Sequence, residues 1–169
     1  QIAYIIDTNI DVVLITCFLG TAEVSVYMVY MLVIKGLKSI ITAIMGGVEA
    51  TFGDMFAKKE YANANKKFSI YQFFYFNIIS VLYNLCLLLI IPFVQIYTNG
   101  ITDANYFRPI FAVLITISEF IYAIKYPYDL LINSVGHFKQ TKKFAYMEAI
   151  INVILSLILI KKLGLIGVA

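Results

Sequence analysis

The sequence predicts an all-α integral membrane protein, on three observations. Of its 169 residues, 62% are hydrophobic and only 14% charged, with a mean hydropathy of +0.87; a soluble domain carries about a quarter charged residues. The apolar residues fall in runs long enough to cross a bilayer, which takes about 20 residues. The lysines concentrate in short connections, where the positive-inside tendency puts them on the cytoplasmic side. Five transmembrane helices are expected, at about 1–19, 24–57, 68–97, 107–135 and 141–163, in a single membrane domain covering 1–169. The start at Gln1 without Met, and the end at Gly-Val-Ala as another segment begins, read as a piece of a larger protein.

In the first span Asp7 and Asp11 lie four apart, on one helix face with Tyr4 and Phe18. Two acids on one face either hold a cation or sit at the water boundary. Gly20 to Glu23 makes an external turn. The 24–57 helix is too long for a simple crossing and should tilt or project. Along it Lys35, Lys38, Thr42, Gly46, Glu49 and Gly53 follow spacings of three and four, a single polar stripe. Its lysines either neutralise Glu49 or another acid, or face an anionic ligand in a wet cavity.

Asp54 to Lys67, with Lys58, Lys59, Lys66 and Lys67, reads as a basic cytoplasmic loop. The third span carries Asn77, Ser80, Asn84 and Gln95 near one face, and Pro92 should bend or end it. Thr98 to Tyr106, with Asn99-Gly100, is an external turn. The fourth span has Glu119, Tyr122, Tyr126, Asp129 and Asn133 along one side, with Lys125 flanking, and Pro127 should kink it there. The loop with Gly136, His137, Lys139, Lys142 and Lys143 closes a membrane hairpin. The fifth span is interrupted on one face only, by Glu148, Asn152 and Ser156. Lys161 and Lys162 then leave on the external side with Arg108, against the charge rule, but the two internal loops hold more lysines.

An unpartnered polar group in hydrocarbon costs several kcal/mol. Five striped helices therefore imply an interior that holds water or polar cargo, with both signs of charge present. Walker, GxSxG, HExxH and CxxC signatures are absent. Cys17 and Cys86 stand alone in apolar runs, and His137 reads as a turn residue. A basic surface for nucleic acid is not indicated, because the net charge of +3 comes from loops. Conformational transport fits better than catalysis.

These features resemble the C-terminal half of Wzx-type polysaccharide (O-antigen) flippases in the MATE-like MOP superfamily. The residues carrying the likeness are Asp7 to Asp11, Tyr27 and Tyr30, Phe52-Gly53-Asp54, Pro92-Phe93 with Tyr97, and the GHFKQT run Gly136 to Thr141. Glu148-Ala149 with Asn152 and Ser156, and the closing Gly164 to Ala169, complete it. The resemblance implies the C-terminal lobe of a two-lobe transporter in the bacterial cytoplasmic membrane, monomeric when whole. Its N-terminal lobe would be missing here, so the isolated piece is expected to aggregate or dimerise and not to transport. It implies ion-coupled flipping of an undecaprenyl-pyrophosphate-linked oligosaccharide, with membrane lipids as partners and no cofactor beyond a coupling Na+ or H+. Cavity candidates for cargo are then Lys35, Lys38, Lys125, Tyr122, Tyr126, Asn133 and Asn152. Ion-coupling candidates are Asp7, Asp11, Glu49, Glu119, Asp129 and Glu148. The alternatives are a cation-coupled multidrug exporter of the same superfamily or, further off, a membrane acyltransferase or glycan polymerase, for which no loop is long enough.

Overall fold

The computed structural model describes residues 2–136 and 138–168, with side chains for 10–136, 143–144 and 146–168. The described residues form helices and turns only: α1 (Ile2–Leu19), α2 (Thr21–Met45), α3 (Val48–Ala57), α4 (Tyr61–Tyr97), α5 (Pro109–Val135), α6 (Phe138–Leu163) and a closing 3₁₀ turn, Gly164–Val168. Four segments are long and apolar enough to span a membrane: α2, α4, α5 and Tyr146–Val168. The chain is a membrane-embedded multi-pass helical protein. The first span expected from sequence is helical, but its described apolar part, Ile10–Leu19, is short of a crossing.

Three boundaries differ from the sequence reading. The 24–57 helix is two helices, because Gly46 and Gly47 interrupt it; Gly47 takes φ 82°, a conformation open to glycine and costly to other residues. The stripe from Lys35 to Gly53 is therefore not one helix face. The basic loop of 54–67 is mostly helical: α3 runs to Ala57, a turn covers 58–60, and α4 starts at Tyr61. Its first turns are held by an apolar face, since Ala64, Phe68, Tyr71 and Tyr75 are all buried at helical spacing. Pro92 does not end α4, which continues to Tyr97, and α5 passes through the buried Pro127 to Val135. The external turn at Gly20–Glu23 contracts to Gly20, at φ 92°, before α2 begins.

Packing sorts the helices into two groups. α5 lies on α4 and α3, whereas α6 lies on α1 and the closing turn; α2 joins them by touching α1 and α4. Buried residues form two clusters along the bundle axis. One, at the end bearing Gly20 and the α4–α5 loop, contains Ile15, Val26, Tyr30, Ile34, Ile90, Val94 and Phe111. The other, at the α3 end, contains Ile41, Phe52, Phe68, Tyr75, Ile79 and Leu130.

The α4–α5 loop is fastened to α2. Tyr30, fully buried, donates to the Tyr106 carbonyl at 2.8 Å and accepts from the Arg108 N–H at 3.1 Å. Arg108 also pairs with Glu23 at 2.6 Å, so the first turns of α2 and α5 share one end of the bundle. Lys161 over the Phe18 ring, 5.4 Å from its centroid, brings the ends of α1 and α6 together.

Exposed aromatic side chains stand at two levels of α4. Phe73 and Phe74 are 65% and 57% exposed, as Phe93 and Tyr97 are 42% and 53%. At a helical rise of about 1.5 Å, Phe73 and Phe93 stand about 30 Å apart, the thickness of the hydrocarbon core. Between them Leu85, Leu88 and Leu89 present an apolar exposed face suited to lipid. Asn77 and Asn84 lie on exposed positions but donate back to the Phe73 and Ser80 carbonyls at 2.7 Å, which satisfies one donor of each within α4.

Candidate functional site

A row of charged side chains crosses from α2 to α6 between the two helix groups. Lys38 on α2 pairs with Glu119 on α5 at 2.5 Å, and Lys125 on α5 pairs with Glu148 on α6 at 2.7 Å. Between the pairs stands Tyr122, whose ring lies 5.4 Å from the Lys38 ammonium and 5.7 Å from that of Lys125. A ring flanked by two cations within about 6 Å attracts both through its quadrupole. The cations thus bridge helices while the ring sets their spacing.

The depth of the row follows from its neighbours. Phe120 meets Tyr83, with ring centroids 5.5 Å apart, and Tyr83 lies roughly midway between Phe73 and Phe93 on α4. The Lys38–Glu119 pair is accordingly level with the middle of that interval of about 30 Å, between the two apolar clusters, with Leu37 touching both, which is the midplane of a bilayer spanning it. Tyr126 stacks on Tyr75 at 5.7 Å, which places Lys125 and Glu148 nearer the α3 end. Charges at such depth are costly in lipid, and they face protein or water.

The row is open on one side. Glu119 is 16% exposed and Lys38 39%, while Lys125 and Glu148 reach 45% and 50%. The open face also carries Lys35, Ser39 and Thr42 of α2, all exposed; the Ser39 and Thr42 hydroxyls donate back to the Lys35 and Lys38 carbonyls. Lys35 has no carboxylate partner among the described residues. Asp129, one turn on from Lys125, shares its face and is half-buried.

The other residues singled out in the sequence divide. Asp11 is half-buried and accepts from the Tyr27 hydroxyl at 3.2 Å; the side chain of Asp7 lies outside the described residues. Asn152 joins the α6 face by accepting from the buried Ser156 hydroxyl at 3.1 Å. Glu49 is exposed in the first turn of α3; the acid that neutralises Lys38 is Glu119, on another helix. Tyr126 is committed to Tyr75. Asn133, two turns beyond Lys125, is exposed near the end of α5. The sequence reading missed Tyr83 and Tyr75, whose regular spacing with Tyr71 and Phe68 was the available signal. Outside the spans, a hydrogen bond from Lys58 to the Asp54 carboxylate at 2.7 Å raises the lysine pKa, and the carboxylate charge adds to it.

The described residues hold no group of three His, Cys, Asp or Glu side chains able to bind a metal ion. Comparison with protein-family models, characterised proteins and solved structures finds no match. Among the described residues, the open side of the row presents paired charges, the lysine Lys35 without a carboxylate partner, and amide and hydroxyl groups.

Proposed function

We propose that the chain forms the polar-walled C-terminal lobe of a two-lobe membrane transporter of the MOP type. Its cargo would be an undecaprenyl-pyrophosphate-linked oligosaccharide, flipped by ion-coupled alternating access across a bacterial cytoplasmic membrane. The observation that carries this reading is the Lys38–Glu119, Tyr122, Lys125–Glu148 row, set at membrane depth and open on one side. A lipid-facing surface would not hold such a row, whereas a water-filled cleft facing a second lobe would. α1, with Asp7 and Asp11, supplies the fifth span.

Lys35, without a carboxylate partner, is the cation available to a diphosphate. Lys38 and Lys125 reach an anionic cargo by exchanging their carboxylates for it. Carboxylates released in that exchange, Glu119 and Glu148, together with Asp11 and Asp129, are the groups to which a coupling Na+ or H+ would bind. Because the two groups of helices meet through side-chain pairs at this level, exchange of partners also lets α5 move relative to α6.

The test uses the full-length protein in proteoliposomes with a fluorescent undecaprenyl-diphosphate glycan. Movement to the opposite leaflet, faster under an imposed Na+ or H+ gradient, is expected. Lys35→Ala should slow it about tenfold or more, since a charge-assisted contact contributes about 1.5–3 kcal/mol. No movement by folded protein would refute the reading. One observation favours a second reading: Lys38 and Lys125 are already neutralised, so Asp129, half-buried one turn from Lys125, would suit a cationic cargo. Gradient-driven efflux of a cationic dye, with no glycan movement, would establish that exporter instead.

A further inference from the structure

The end of the bundle carrying the α3–α4 and α5–α6 turns combines exposed lysines with exposed aromatic rings. Lys59, Lys66, Lys67 and Lys143 are all exposed, and Tyr61 and Phe144 beside them are 60% and 74% exposed. Lys66 and Lys67 stand about 10 Å beyond the Phe73–Phe74 pair along α4, which is the level of headgroup phosphates when that pair marks the hydrocarbon edge. The acids of the same turn are held locally: Asp54 by Lys58 at 2.7 Å, and Glu60 by the Asn63 amide at 3.0 Å. At the opposite end the cations are differently engaged. Arg108 is bound to Glu23, and Lys161 lies over the Phe18 ring.

We propose that this basic, aromatic end binds the headgroups of anionic phospholipids, with Lys59, Lys66, Lys67 and Lys143 as the phosphate contacts. The lysine stems lie along apolar surface while their ammonium groups reach the phosphates, and Phe73, Phe74 and Phe144 settle into the adjacent interface. The occupant is a lipid surface because Phe73 and Phe74, two turns below Lys66 and Lys67 on α4, are exposed at the level that fits the bilayer edge, where acyl chains meet them. The proposal is independent of what the protein transports.

The experiment places the full chain in nanodiscs of mixed phosphatidylcholine and phosphatidylglycerol and measures which lipids remain bound, by native mass spectrometry or by energy transfer to labelled lipid. Phosphatidylglycerol should be enriched, by about fivefold for each lysine in contact with the surface, and the enrichment should fall as salt is raised. Replacing the four lysines by Gln should remove most of it, while Lys161→Gln should leave it unchanged. The wild type alone tests the proposal, should the fourfold variant fail to insert: a shell with no preference for phosphatidylglycerol, or a preference insensitive to salt, overturns it. An unchanged shell in the folded fourfold variant does so too, assigning these lysines to a protein partner.

Discussion

Removing one member of the midplane pair should cost far more than removing both. Lys38→Met leaves Glu119, only 16% exposed, as a carboxylate without its cation near the centre of the bilayer. Breaking a buried pair from one side costs about 3–5 kcal/mol. The 39% exposure of Lys38 opens this pair to cavity water, and screening there reduces the figure to roughly 1.5–3 kcal/mol. Glu119→Gln alone strands Lys38, whose longer stem can reach water, so a smaller loss of about 1–2 kcal/mol is expected. The double variant should recover most of the loss, retaining about 0.5 kcal/mol of it, which is a coupling of about 2–4 kcal/mol in a thermodynamic cycle. Reversible unfolding of the protein in bicelles or mixed micelles provides the four free energies. Losses that simply add, to within about 0.3–0.5 kcal/mol, would refute the claim that the two side chains depend on one another.

Other perturbations probe the frame that holds the row. Tyr30→Phe removes both a donor to the Tyr106 carbonyl and an acceptor for the Arg108 N–H; leaving such groups unpaired should destabilise the protein by about 1–3 kcal/mol and increase protease cutting in the α4–α5 loop. Gly47→Ala should cost about 1–2 kcal/mol through the left-handed backbone alone, because nothing lies within 4 Å of the added Cβ. Gly47→Asn should cost less, and thermal unfolding of the two variants checks the order.

Much of the fold was legible because bilayer chemistry demands long apolar runs, and α2, α4, α5 and α6 follow those runs closely. Errors came where a helix continues on polar residues or stops on apolar ones. The start of α4 is rich in Asn and Lys and reads as loop, yet its buried face repeats at Ala64, Phe68, Tyr71 and Tyr75, and α3 covers it. The Gly46-Gly47 pair was a visible stop signal. The stripe from Lys35 to Gly53 concealed it, because residues on two successive helices can keep a spacing that suggests one.

The site was legible as a set of residues and not as a set of partners. Polar positions at spacings of three and four correctly put Glu119, Tyr122 and Asp129 on one side of α5, and Glu148 with Asn152 on one side of α6. Which acid meets which lysine depends on how α2, α5 and α6 sit together, so Lys38 finds Glu119 rather than Glu49. Nor did the sequence tell buried tyrosines from exposed ones: Tyr30, Tyr75 and Tyr83 are buried, with Tyr30 and Tyr75 bonding distant carbonyls at Tyr106 and Ala123.

Water access to the open side of the row decides whether this wall faces a cavity. With Cys17 and Cys86 replaced, single cysteines at Ser39, Tyr122 and Leu88 can be challenged in intact membranes with a charged, membrane-impermeant thiol reagent. Ser39 and Tyr122 lie on the polar face, whereas Leu88 is 72% exposed on the apolar face of α4. Cysteines at 39 and 122 should react and the one at 88 should not. Protection at 39 and 122 equal to that at 88, in protein shown to be folded, would mean that no water reaches this wall and would contradict the account.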